Sequence, residues 1–274
     1  MTSVLGIPRN RPLLIGAVHL LATPGAPRFA GDVQAVLQRA MEDARALARG
    51  GCDGLIVENL GDIPYFARRV PPETVAALAL ALRAVGEAAP GLHLGVNVLR
   101  NDARSGLGLC AATGARFLRI NVHTAAAVAD QGLLVGRAAQ TLRARARLCP
   151  GVALLCDVHV KHASPLGRET AAEAALDTLR RGMADALVVS GAATGRAPAV
   201  ELVAEVRSAV GSAPVLIGSG LDPSNAAELL AHADGAIVGT WLKREGRIDE
   251  PVDVQRVAGM RAALDAARTW ARRP

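Results

Sequence analysis

Ionisable and amide side chains in this sequence collect where short apolar runs stop. His19 follows the run Leu13–Val18, Glu58 and Asn59 follow Gly54–Val57, and Asn97, Arg100, Asn101 and Asp102 stand at the end of Leu92–Val98. Asn121 and His123 mark the end of Arg116–Asn121, and Asp157, His159, Lys161 and His162 mark the end of Val152–Asp157. Glu58 and Asp157 are costly to bury without partners. In a mouth of low dielectric such a carboxylate shifts toward neutral pH and can carry a proton, with Lys161 beside it as a third catalytic candidate. Lys161 is also a natural ion-pair partner for Asp157, so a structural salt bridge at a rim is the plainer reading of the same pair. On an extended strand Asp157, His159 and Lys161 share one face and His162 points away. His159 and Asp157 could then approach a metal with His19, as in a metal-dependent hydrolase. No further ligand has the spacing for it, and no metal or other cofactor is expected.

The last runs end differently. Val215–Ile217 leads into Gly218-Ser219-Gly220, and Ala236–Val238 into Gly239-Thr240. Small residues there leave backbone N–H groups accessible to an anion, with a helix N-terminus to help. One such stretch would only make a tight turn; two on neighbouring strands point to a phosphate site. Ser190-Gly191 after Ala186–Val189 and the loop Ala193-Thr194-Gly195-Arg196 add a further cradle. Asp222-Pro223-Ser224-Asn225 carries helix-capping chemistry. In this reading Arg100 or Lys161 balances the phosphate charge, while His19, Asn59, Asn97, Asp102, Asn121 and His159 hold the rest of an anionic small molecule.

The elements that must position these residues follow from the runs themselves. The eight runs named above are mostly apolar on both faces, as strands covered on both sides are. Their starts lie roughly 20–40 residues apart, room for a helix and two loops in a right-handed crossover. Asp32–Arg49 and Glu73–Val85 are the clearest helices, and Gly50-Gly51 stops the first. A phrase recurs before several strands: Gly51-Cys52-Asp53-Gly54, Thr113-Gly114-Ala115-Arg116, Met183-Ala184-Asp185-Ala186 and His232-Ala233-Asp234-Gly235. A doubly wound open sheet would also repeat in this way. Eight units with no second domain favour closure, so the expectation is an α/β protein forming one (β/α)8 TIM barrel, with its core over about residues 12–265. The functional groups then sit at the C-terminal strand ends, overhung by the irregular loop Leu21–Gly31.

Composition agrees. Of 274 residues 51% are hydrophobic and 2% aromatic, so the core is built from Ala, Val, Leu and Ile. The net charge of +6 is carried by scattered Arg, with Lys161 and Lys243 the only lysines. No basic cluster is interleaved with aromatics, so no nucleic-acid partner is expected. Cys52, Cys110, Cys149 and Cys156 lack metal-type spacing and read as buried small hydrophobes of a reducing compartment. No apolar stretch of about 18 residues occurs, so no membrane association is expected and a cytoplasmic location is. Small aliphatic residues on the helices fit a homo-oligomer.

The strand-end phrases together resemble the BtpA family, named for a photosystem I biogenesis protein. They are Gly16-Ala17-Val18-His19-Leu20, Gly54–Asn59, Asn97–Asp102, Arg119-Ile120-Asn121-Val122, Asp130-Gln131-Gly132, Asp157–Ala163, Gly218-Ser219-Gly220 and Val238-Gly239-Thr240. The resemblance runs from about Leu14 to Val257 and implies a TIM-type barrel with a phosphate-binding end, similar to phosphosugar and phosphoribosyl enzymes. Val18 and His123-Thr124 depart from the family's usual residues, and the second change is placed to tune the pocket. Two functions follow: an enzyme that isomerises a phosphorylated sugar or nucleotide-like compound or acts on its glycosidic bond, and a non-catalytic assembly factor keeping the barrel. The second needs an exposed apolar stripe, and none is evident in the sequence.

Overall fold

A strand that is apolar on both faces needs two neighbours, and each of the eight runs finds them. The computed structural model describes residues 11–191 and 195–271. Its strands are β1 (Leu13–His19), β2 (Gly54–Glu58), β3 (His93–Asn97), β4 (Phe117–Ile120), β5 (Ala126–Ala129), β6 (Gly132–Val135), β7 (Ala153–Val158), β8 (Ala163–Pro165), β9 (Ala186–Val189), β10 (Val215–Ile217) and β11 (Gly235–Val238). Eight of them close into a parallel barrel in the order β1-β11-β10-β9-β7-β4-β3-β2. The helices are α1 (Val33–Gly50), α2 (Pro72–Ala88), α3 (Ala103–Thr113), α4 (Ala138–Leu148), α5 (Ala171–Leu176), α6 (Val200–Val210), α7 (Ala226–Leu230) and α8 (Val254–Ala271). The expected (β/α)8 barrel is therefore the fold, and β9 and β10 have the bounds read from the sequence.

Alternation along the strands sorts the core into two layers. Leu13, Ile15, Ala17, Ile56, Phe117, Leu155, Ala186, Val188, Leu216 and Ile237 fill the barrel interior. Leu14, Val18, Leu55, Val57, Leu118, Leu154 and their equivalents pack under the helices. Gly95 is bare because a Cβ there would run into the ring of Phe117, so this one aromatic fills two positions of the interior.

The recurring phrase before the strands has a second purpose beyond the tight turn. Asp53 accepts the N–H of Leu14, Asp185 that of Leu154 and Asp234 that of Val215, at 2.8, 2.8 and 2.9 Å. Each carboxylate also pairs with an arginine, Arg261, Arg145 and Arg207 respectively. In three of the four repeats the acid thus pins its own strand's entry to the neighbouring strand at the N-terminal rim. At α1, Asp32 accepts from the N–H groups of Gln34 and Ala35, and Gly51 ends the helix at φ +97°, a conformation glycine takes without strain.

One element was not anticipated. β5 and β6 form a hairpin that β8 extends, giving an antiparallel sheet in the order β6-β5-β8 on the mouth side of the barrel. Ala127 and Leu134 pack inward on Val122 and Val160. Val128, Leu133 and Val135 face outward and are about half exposed, so an apolar stripe does exist, contrary to the sequence reading. No helix among the described residues is long and apolar enough to cross a membrane.

Candidate active site

The interior rows continue past the apolar filling, and two residues further along each strand the chemistry changes. Ala17 gives way to His19, Ile56 to Glu58, Gly95 to Asn97, Phe117 to Arg119, Leu155 to Asp157, Val188 to Ser190, Leu216 to Gly218 and Ile237 to Gly239. Period-two geometry therefore assembles one ring of polar and small residues from all eight strands, where barrel enzymes place reactive groups.

Arg119 organises the charge in this ring. Its Nε donates to Asp157 Oδ1 at 2.9 Å and its Nη2 to Oδ2 at 3.1 Å, while Nη1 lies 3.6 Å from Glu58 Oε1. Asn121 Nδ2 donates to Asp157 Oδ2 at 2.9 Å, and Asn97 Nδ2 to Glu58 Oε1 at 3.3 Å. Burial works against the Arg119 charge, but Asp157 and Glu58 outweigh it and hold the guanidinium above its ordinary value. His19 Nε2 lies 3.8 Å from Glu58 Oε2, and its Nδ1 has no partner. Desolvation, helped by the positive charges of Lys243 and Lys161, keeps the imidazole neutral well below its usual pKa.

Lys161 reaches the same space from the loop after β7. The strand stops at Val158, and His159 and His162 adopt φ of +50° and +57°, so alternation ends there. The expected common face of Asp157, His159 and Lys161 consequently does not form, and Asp157 pairs with Arg119 instead of Lys161. Arg100 donates from Nη2 to the Lys161 carbonyl and steadies the loop. Desolvation, reinforced by the nearby Arg119 charge, lowers the Lys161 pKa to about 8.

Two cavities meet at these residues. A small one of about 160 Å³ is lined by Gly218, Ser219, Gly220, Gly239, Thr240 and Trp241. A larger chamber of about 870 Å³ is lined by Asn97, Arg100, Asn121, Tyr65, Ile63 and the loop residues Leu21, Ala22, Arg28 and Ala30. Asp130 and Gln131, the tip of the β5–β6 hairpin, close its outer wall, and His162 also faces it. His19, Glu58, Leu60, Arg119 and Lys161 line both spaces and form the waist between them.

Several candidates are placed elsewhere. Asn59 is out of phase with the interior row; its amide donates to Asp62 and its Oδ1 accepts the Leu99 N–H, so it ties loops together behind the chamber. Asp102 caps α3, accepting from Ser105 and from the Val70 N–H. His159 lines a separate recess of about 190 Å³ with Thr124, Asp177 and Thr178, apart from His19. Among the described residues no three His, Cys, Asp or Glu side chains converge as metal ligands do. His123 lines neither cavity; its Nε2 donates to the Gly182 carbonyl at 2.8 Å, so the departure at His123 is a packing feature. Ser190 Oγ is buried without a partner against Gly218, and Gly191 packs on the carbonyls of Arg196 and Ala197. Ala193 and Thr194 lie outside the described residues.

The helix expected after Asp222 begins later, at Ala226. Asp222 Oδ1 instead accepts from the N–H groups of Ser224 and Asn225. Asn225 then donates to the Gly220 carbonyl at 2.9 Å and holds the glycine turn in place. Sequence reading passed over Arg119 as a site residue. The signal for it was present: a lone charge between Leu118 and Ile120, in phase with Phe117 and Asn121.

Comparison with known proteins adds the family. The BtpA family profile matches residues 9–266. The photosystem I biogenesis protein BtpA of Synechocystis is 44% identical over 253 residues, spanning 92% of this chain and 87% of that protein. An uncharacterized protein of Thermococcus kodakarensis is 43% identical over 247 residues, spanning 90% and 93%. Among solved structures, thiamine phosphate pyrophosphorylase from Pyrococcus furiosus matches with a TM-score of 0.59 at 14% identity, over 94% of this chain and 98% of that one. Tryptophan synthase of Mycobacterium tuberculosis matches with a TM-score of 0.60 at 22% identity, over 94% of each chain. At such identities the structural likeness shows the shared barrel, whereas the sequence matches show kinship: the chain belongs to the BtpA family.

Proposed function

We propose that the protein is an enzyme acting on a phosphorylated small molecule of nucleotide-like size, with the reacting bond held at the waist between the two cavities. The observation that carries this reading is the shared wall: His19, Glu58 and Arg119 of the ring, joined by Lys161, lie where the small glycine-lined space opens into the large chamber. The small space suits a phosphate on Gly218–Gly220 and Gly239-Thr240. The chamber, at about 870 Å³, is in the range of pockets that enclose drug-sized ligands and is far larger than a sugar phosphate alone requires. Glu58, His19 and Lys161 supply proton transfer for an isomerisation or for glycosidic-bond chemistry, Asn97 and Asn121 offer hydrogen bonds to hydroxyls, and Arg119 fixes the negative groups around them.

Thermal-shift titration tests this directly, because a ligand of the folded state raises Tm by an amount that grows with affinity. Inorganic phosphate, ribose 5-phosphate and AMP are expected to raise Tm, with AMP strongest, while adenosine has little effect. Equal shifts with adenosine and AMP would remove the phosphate site from the account. A second reading, an assembly factor, is favoured by the exposed stripe Val128, Leu133 and Val135 and by the name of the Synechocystis relative. It requires that Val128→Ser with Leu133→Ser abolish function in cells and that Glu58→Gln leave function intact.

A further inference from the structure

We propose that Lys161 is a covalent catalyst, forming an imine with the carbonyl carbon of a phosphorylated aldehyde or ketone seated across the waist. The inference deepens the reading above and rests on it for the phosphate end alone.

Three observations converge on this residue. Lys161 is one of only two lysines in the chain. The other, Lys243, is fully buried and its Nζ donates to Asp43 at 2.5 Å, so it is locked in a structural pair. Lys161 instead lines both cavities, and among the described residues no carboxylate stands within ion-pair distance of its Nζ. The acids that sequence proximity would assign to it are taken: Asp157 holds Arg119 with both oxygens, and Glu58 is shared by Arg119, Asn97 and His19. A lysine meant only to carry charge gains from a carboxylate, whereas a nucleophilic amine needs to lose its proton near neutral pH. Burial and the Arg119 charge bring that about, with half of the amine neutral near pH 8.

The step balances with groups present. The neutral Nζ attacks the carbonyl carbon as the C=O π pair moves to oxygen; the nitrogen gives up a proton, which the Glu58 carboxylate relays to that oxygen, giving a carbinolamine. The nitrogen then loses a proton and the hydroxyl, protonated in turn, leaves as water while the C=N bond forms. The net change is amine plus carbonyl to imine plus water. His19, with Nε2 3.8 Å from Glu58 Oε2, stands beside the carboxylate that relays these protons.

The test uses the whole protein with sodium cyanoborohydride, which reduces an imine to a stable secondary amine, and two probes, glycolaldehyde phosphate and glycolaldehyde. Peptide mapping by mass spectrometry then reads each lysine. The expected result is labelling of Lys161 at least tenfold faster than in the urea-unfolded chain, rising to half its maximum near pH 8, and absent in Lys161→Arg. Inorganic phosphate raising the Tm of Lys161→Arg would show that this variant is folded. Fast labelling by both probes alike keeps the imine and overturns the phosphate site. Labelling of Lys161 no faster than in the unfolded chain, with phosphate still raising Tm, overturns the imine and leaves the phosphate site standing.

Discussion

Arg119 on β4 and Asp157 on β7 face one another inside the barrel and share a two-pronged ion pair, both hydrogen bonds at 3.1 Å or less. Neither side chain has meaningful contact with solvent, at 2% and 0% exposure. Such a pair is held by geometry, and removing one member leaves the other charged and uncompensated. Asp157→Asn is therefore expected to cost about 3 kcal/mol of stability, and so cannot serve as a clean probe of proton transfer. Urea denaturation of the variant checks this; a midpoint unchanged from wild type would mean that the pair is dispensable.

Lys161 predicts the opposite sign. Its folded pKa of about 8 lies below the ordinary lysine value of 10.5, so between these limits the unfolded chain binds more protons and wild-type stability rises with pH. Lys161→Met is expected to be more stable than wild type by about 1–2 kcal/mol at pH 7, after discounting for partial exposure, and to be inactive. The advantage should shrink as pH rises above about 8 and be largely gone by about pH 10. Chemical denaturation at both pH values checks the trend, and a variant less stable at pH 7 would contradict it.

Gly239 makes room for His19. A Cβ at this position would lie 2.5 Å from His19 Cε1 and 2.8 Å from Nε2, well inside contact distance. Gly239→Ala is expected to displace the imidazole, lower stability by about 1–3 kcal/mol, and reduce turnover at least tenfold. Gly108→Ala in α3 is the matched control, since a Cβ there meets nothing within 4 Å. Helix propensity gives this control a gain of up to about 1 kcal/mol. Turnover and melting measured on both variants separate crowding of His19 from the general effect of an added methyl.

Acid should weaken the fold through the buried histidines. His19 and His123 are both held below their ordinary pKa, each chiefly by desolvation. As pH falls through about 6.5 the unfolded chain takes protons that the folded chain refuses. Stability is consequently full above that value and is lost toward the lower folded pKa. His19→Gln should flatten the fall of the urea midpoint between pH 7 and pH 5. An unchanged slope would show that the imidazole is protonated in the folded protein.

Much of this architecture was legible because strands buried on both faces read as short apolar runs, and all eight runs became barrel strands. The polar ring was legible for a related reason: a charge ending such a run must face the mouth. What escaped were features decided by phase and by distant partners. Asn59 stands one residue beyond Glu58 and so turns its side chain away from the cavity, while Arg119 stands inside a run and turns toward it. Lys161 looked paired with Asp157 because the chain was read as extended through His159, where the backbone in fact leaves the strand. The β5–β6 hairpin was missed because Ala126–Ala129 is short and rich in alanine, a poor strand former. The acids Asp53, Asp185 and Asp234 before β2, β9 and β11 read as parts of turns until their backbone partners on the neighbouring strands are seen.

The hairpin tip, Asp130-Gln131, completes a wall of the chamber, yet its strands belong to an added sheet and hydrogen-bond to no barrel strand. On the proposed function, reactivity and selectivity are thereby housed in separable parts. Lengthening, shortening or recharging this flap would then change which molecules fit the chamber while the eight-stranded framework and its inner row of polar groups stay as they are.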